Sequence, residues 1–140
     1  MYHFADGKVQ LLIENQGSKT SKDVTIFDSL VELQLLKKSV GKNLKFNFNL
    51  AHAILSGIEI NRVDIFNYIY KNSPFFEVSE IKRIYDSHLP VFPRYGVIGN
   101  LLSSKKTMLK NRNLILEFRN IKTTDLKKSF DQVSKYFKLI

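Results

Sequence analysis

Apolar and polar positions change period several times along the chain, and each change predicts an element. Residues 2–5 and 8–13 flank Asp6-Gly7, a dipeptide suited to the positive φ angles of a tight hairpin turn. Asn15 to Lys22 is polar and contains Gly17, so it reads as a loop. Ser21 can then cap a helix whose apolar positions Val24, Phe27, Val31 and Leu35, with Leu30 beside them, follow the helical period. Gly41-Lys42-Asn43 breaks that pattern. Leu44 to Leu50 alternates strictly, which predicts a strand with Leu44, Phe46, Phe48 and Leu50 on one face. Burial accounts for those two phenylalanines better than a base-stacking platform does, because leucines share their face.

From Asn61 onward the periodicity is mostly helical. Asn61 can cap a helix carrying Val63, Phe66, Ile69 and Tyr70, which Ser73-Pro74 ends. Ser79 can cap a second with Ile81, Ile84, Tyr85 and His88 on one face, ended by Leu89-Pro90. Pro93 suits the first turn of a third helix, over 93–104, with Ile98, Leu101 and Leu102 as its apolar side. Met108–Lys110 and Leu114–Phe118 read as the arms of a short hairpin tipped by Asn111-Arg112-Asn113. A final amphipathic helix aligns Leu126, Phe130, Val133 and Phe137 opposite Lys127, Lys128, Asp131, Lys135 and Lys138. The expected class is α+β. A supporting α+β part over 1–60 precedes a helical module over 61–140, unless the whole forms one domain.

Composition narrows the chemistry. The 140 residues contain no cysteine, which removes disulfides, thiolate nucleophiles and cysteine-based zinc sites. That absence fits the cytoplasm, the expected location. No secretory pattern opens the chain and no apolar run is long enough to span a bilayer, so no membrane association is expected. The net charge of +9 is unevenly placed. Residues 1–60 hold 7 lysines against 6 acids, whereas residues 61–140 hold 15 lysines and arginines against 7 acids. A one-sided cationic field attracts polyanions, nucleic acid foremost.

Helices around Val63/Phe66/Ile69, Ile81/Ile84/Tyr85 and Ile98/Leu101/Leu102, followed by a hairpin at Asn111-Arg112-Asn113, resemble the winged helix-turn-helix family of DNA-binding domains. The resemblance covers residues 61–120. It implies that the third helix enters the major groove and that the wing grips the backbone. Arg94, Tyr95 and Asn100 would then face the bases, while Ser103, Ser104, Lys105, Lys106, Lys110 and Arg112 would hold phosphates. Gly96 and Gly99 depart from a good recognition helix.

Other constellations are sparser. Gly96-Val97-Ile98-Gly99 matches a bare GxxG, with nothing basic between its glycines. Glu80-Ile81-Lys82 with Asp64 would suit a metal-dependent nuclease if Glu80 and Lys82 shared a strand face. His3, His52 and His88 show no metal-ligand spacing, and Asp86-Ser87-His88 is a run of sequence neighbours of the kind that rarely forms a triad. No phosphate loop is present.

The expectation is a non-enzymatic protein, without cofactor or metal, that binds nucleic acid, DNA before RNA. A homodimer through the C-terminal helix is expected with it. The alternatives are a protein-interaction or ribonucleoprotein module with a basic docking face, and a nuclease built on Asp64, Glu80 and Lys82.

Overall fold

The computed structural model describes residues 12–17, 27–41, 43–82 and 85–138. The expected hairpin at Asp6-Gly7, the cap at Ser21 and His3 lie outside them. Helix and strand are mixed, as the α+β class requires. The centre is a four-stranded sheet in the order β1 (Leu12–Glu14), β2 (Lys45–Asn49), β3 (Phe75–Val78), β6 (Asn113–Leu116), with every neighbouring pair parallel. Parallel neighbours need crossovers. Here α1 (Leu30–Val40) joins β1 to β2, α2 (Leu50–Leu55) and α3 (Val63–Asn72) join β2 to β3, and a longer excursion joins β3 to β6. That excursion contains the hairpin β4 (Glu80–Lys82) and β5 (Tyr85–Leu89), then α4 (Gly96–Ser104) and α5 (Lys106–Leu109). Helix α6 (Thr123–Phe137) follows.

Strand β2 keeps the expected alternation, with Phe46 and Phe48 buried. Phe48 meets Phe76 of β3 edge-on at 6.4 Å, and Phe66 of α3 stacks on Phe76 at 6.1 Å. This apolar side of the sheet and the helices packed on it make the core. Helix α3 starts one residue later than expected, at an Arg62 N-cap, and buries Phe66 and Ile69. Helix α1 differs more. Ser29 caps it by accepting from Glu32 N at 3.2 Å, and Leu33 is its buried residue. Of the expected apolar positions, Val31 and Leu35 are exposed, 63% and 58% accessible, while Phe27 and Leu30 pack against the core. Two leucine-rich stripes compete in this helix, and the packing takes the one through Leu33.

Two corrections remove the winged-helix arrangement. The described residues of 79–88 form strands, not a helix. The chain leaves β3 and turns back through the β4–β5 hairpin, pairing Glu80 with Leu89 and Lys82 with Tyr85. The i, i+3, i+4, i+7 spacing of Ile81, Ile84, Tyr85 and His88 was compatible with a helix, but cross-strand pairing overrides so local a preference. Nor is there a wing at 108–118. Met108 and Leu109 belong to α5, and β6 pairs in parallel with β3, from Phe75–Asn113 to Val78–Leu116.

Helix α4 is present but begins later than expected. Pro93 lies in a turn ahead of it, closed by Tyr95 N donating to Phe92 O at 3.0 Å. That turn packs directly on the helix, so a Cβ at Gly99 would stand 2.0 Å from Phe92 O and 3.0 Å from its carbonyl carbon. Backbone on both sides leaves no room to give. Gly99→Ala should therefore cost about 3 kcal/mol, the upper end for overpacking, read as a lowered midpoint in urea unfolding with an unchanged slope.

A candidate metal centre at the carboxyl edge of the sheet

All four sheet strands run the same way, so their carboxyl ends share one edge, where open parallel sheets place their chemistry. Acidic residues meet there. Glu14 ends β1, Glu77 lies in β3 and Glu117 follows β6. Asn49 ends β2 and caps α2, accepting from His52 N at 3.1 Å. Its Nδ2 donates to Glu14 Oε1 at 3.1 Å. The buried Asn15 completes a reciprocal pair, accepting from Asn49 N at 2.8 Å and donating to Asn49 O at 3.0 Å. The cap thus fixes the first turn of α2, and with it the position of His52.

The hairpin brings two more groups to the same edge. Asp86 and His88 stand two apart on β5, and Asp86 Oδ2 lies 2.7 Å from His88 Nε2 and 3.1 Å from His52 Nε2. The ring centroids of His52 and His88 are 6.0 Å apart. His88 is fully buried at a left-handed φ of 44°, a conformation that costs energy and is often kept for a functional reason. Each imidazole also has a carboxylate behind it. His52 Nδ1 lies 2.9 Å from Asn15 O and 3.1 Å from Glu14 Oε1. Both of those are acceptors, so Nδ1 carries a proton and Nε2 is the nitrogen that can lose one. His88 Nδ1 lies 2.7 Å from Glu117 Oε2, at a distance for an ion pair but out of line for a hydrogen bond.

Electrostatics follow from this crowding. Burial disfavours the charged form of His52, but hydrogen bonds to Glu14 and the Asn15 carbonyl, together with Asp86, overcome it and push the ring up to about 9. Glu14 is likewise opposed by burial and yet held below the usual carboxylate range by His52 and Asn49. Glu77 goes the other way. Burial, the charge of Glu14 and its shared hydrogen bond with Glu117 raise it to about 7, against the Asn47 amide that donates to it at 2.7 Å. One carboxyl of the cluster can therefore exchange a proton near neutral pH.

His52, Asp86 and His88 each present a ligand atom, all within 4.8 Å of one another. Imidazole nitrogen and carboxylate oxygen suit zinc, manganese or other first-row divalent ions. The acceptors behind His52 are the arrangement that sets the tautomer of a metal-binding histidine, while Glu117 stands behind His88 at ion-pair distance. The residues present fit such an ion.

The residues singled out for nucleic acid are spread more widely. Lys105 lies 4.8 Å from the Phe66 ring centroid and Arg112 lies 3.9 Å from that of Tyr70, with Arg112 also donating to Tyr70 O at 3.0 Å. Both tie the α4–β6 segment to α3. Ser103 and Ser104 donate to carbonyls of their own helix, Gly99 O and Leu101 O. Asn100 and Lys110 are exposed. Arg94, Tyr95 and Lys106 gather around Tyr136 of α6.

The nuclease triplet is not assembled as a metal site. Asp64 is exposed and paired with Arg62 at 2.7 Å. Glu80 accepts from the amides of Val97, Ile98 and Gly99 at 3.0–3.2 Å, so it caps α4 from a neighbouring strand. Charge-assisted bonds of this kind are worth about 1.5–3 kcal/mol, and Glu80→Ala should lose about that much stability in denaturant titration while leaving metal binding at Asp86 intact.

The metal-ligand spacing of His52, Asp86 and His88 is invisible in sequence because 34 residues separate the first two. One signal was present nonetheless. The runs LLIE, FFE and LILE each end an apolar stretch in glutamate, the pattern of buried parallel strands with acids at their carboxyl ends. No family model, curated protein or solved structure matches the chain.

Proposed function

We propose that the protein is a divalent-metal-dependent phosphoester hydrolase acting on nucleic acid. One observation carries the reading. Both Nε2 atoms, of His52 and His88, turn to a single oxygen of Asp86, while a glutamate stands behind each ring. When bound there, a divalent ion supplies Lewis acidity and a hydroxide nucleophile near neutral pH. Glu14 and Glu117 hold the two imidazoles in register. Glu77, which titrates near 7, would donate its proton to the departing ester oxygen as the hydroxide oxygen bonds to phosphorus and the phosphorus–ester oxygen bond breaks; solvent would then return a proton to Glu77 and accept the one lost by the next water. The +9 charge favours a polyanionic substrate, and a bound ion would offset the repulsion of the acid-rich edge.

The test is hydrolysis of bis(p-nitrophenyl) phosphate and of a labelled oligonucleotide with Mn²⁺, Zn²⁺ or Mg²⁺. Turnover that appears with metal and stops with EDTA supports the reading. If calorimetry detects no Mn²⁺ or Zn²⁺ binding at pH 7.5, it fails.

A second reading keeps nucleic-acid binding, duplex DNA before RNA, without catalysis. The charge favours it: residues 61–140 carry 15 lysines and arginines against 7 acids. Duplex retention in EDTA that falls steeply with salt, with no cleavage under any metal, would select it. We assign either activity to the cytoplasm, in keeping with a chain that has no cysteine. A homodimer through α6 would cover Leu126 and Phe130, 47% and 52% exposed, which with Leu114, Leu116 and Phe118 line an apolar groove of about 280 Å³. Phe130→Asp should then shift the sedimentation coefficient to that of a monomer.

A further inference from the structure

We propose that the hollow between the turn ahead of α4 and the end of α6 is a nucleotide site, sharing no residue with the metal centre. Its volume is about 440 Å³, within the range of small-ligand pockets. Arg94, Lys106, Lys135 and Lys138 line it with Tyr95 and Tyr136, and no acid does. Among the described residues none of these four cations is in an ion pair. Two converge on one ring, Lys106 Nζ at 4.1 Å and the Arg94 guanidinium at 5.6 Å from the Tyr136 centroid. Each is attracted to the ring, but two cations gathered at one tyrosine repel one another, and an anion bound in the hollow would offset that repulsion. The Tyr136 phenol feels the same field. Its hydrogen bond with Ser103, then Arg94 and the charge of Lys106, hold it below its ordinary value.

A second observation concerns the backbone. In the turn Phe92-Pro93-Arg94-Tyr95, proline takes the second position and Arg94 the third, at φ 74°. The third position of such a turn is one for glycine or asparagine. An arginine there strains the chain that carries it, and its own amide is held by Gly99 O at 3.0 Å. Tyr95, beside it, is 71% exposed. Strain kept at an exposed cation that, among the described residues, meets Tyr136 but no acid points to a ligand in this cationic hollow. Guanidinium pairs with phosphate through two parallel bonds, and a tyrosine face stacks on a base. The ligand class is therefore a phosphate beside a planar base, either a free nucleotide or one residue of a strand.

Calorimetry with adenosine 5′-monophosphate, in EDTA so that the metal centre does not contribute, tests this on the full chain. The monophosphate should bind at least tenfold tighter than adenosine. Arg94→Gly should weaken it at least tenfold while raising Tm by about 2–4 °C, because glycine relieves the turn. Lys106→Gln should weaken it as well. A residue with a merely structural role would not move stability up and binding down. Competition by a ten-nucleotide single strand assigns the ligand to a strand, and failure to compete assigns it to free nucleotide. Equal binding of adenosine, or undiminished binding by both variants, overturns the proposal.

Discussion

Asp86→Asn is expected to abolish metal-dependent hydrolysis and to weaken Mn²⁺ or Zn²⁺ binding by at least about a hundredfold, roughly 2.7 kcal/mol at 1.36 kcal/mol per decade. Asp86 Oδ2 is the oxygen on which both imidazoles converge, at 3.1 and 2.7 Å. Asparagine preserves its size but removes the negative charge, and it turns either a neutral carbonyl or an N–H₂ donor toward the two Nε2 atoms. The Asp86 side chain is 30% exposed, so the exchange leaves the fold intact, but it removes the anion that holds His52 and the buried His88 in the metal-free protein. Circular dichroism should stay near the parent spectrum and the metal-free Tm should fall, while calorimetric metal binding disappears. Asp64→Asn is the matched control. That carboxylate is 66% exposed and pairs with Arg62 in the first turn of α3, away from the three ligands, so its loss should leave metal binding and turnover unchanged. Equal loss in both variants would sink the assignment of the centre.

The metal-free protein is expected to lose stability steadily from about pH 4.5 to about pH 9, a direction set by two groups. The folded state raises His52 from 6.5 to about 9. Its contribution is complete below 6.5 and vanishes as pH rises through 9, because the folded ring then gives up a proton that had favoured folding. Glu77 is raised from 4.5 to about 7, so its favourable protonation is complete below 4.5 and lost through 7. Both terms have the same sign, and Tm should fall across the window. Glu14, held below its ordinary 4.5, acts in the opposite sense only at acid pH. A divalent ion should reverse the trend at its alkaline end, since the ligands it needs are the deprotonated forms. Mn²⁺ at pH 8 should therefore raise Tm by several degrees, of the order of 2–4 °C per kcal/mol for a domain of about 150 residues, and at pH 5 hardly at all. A metal-free Tm that climbs from pH 6 to pH 9 would contradict the geometry around His52.

Much of the local structure was legible in the residues. Alternation placed β2 and buried Phe46 and Phe48. The helical period placed α3 and α6, and the break at Gly41 marked the end of α1, where that glycine stands at φ 106°. These features depend on near neighbours, and a one-dimensional pattern records them. The pattern was weaker where two periods fit equally well. Ile81 to His88 satisfies a helix as easily as a strand, and only β5 folding back on β4 separates the readings.

The site belongs almost wholly to the tertiary level. Glu14, His52, Asp86 and Glu117 are scattered over more than a hundred positions, and no spacing rule joins them. They meet because parallel strands deliver their carboxyl ends to one edge and a hairpin folds back over it. Glu80 shows the same dependence in reverse. Beside Lys82 it could serve as a metal ligand only if the two shared a strand face, and the amides of α4 claim its carboxylate. What the residue order determined alone was the class of fold, most elements and a cationic surplus. Which acids and histidines face one another was decided by strand direction and crossover, because long-range contacts leave no mark in the spacing of the residues that make them.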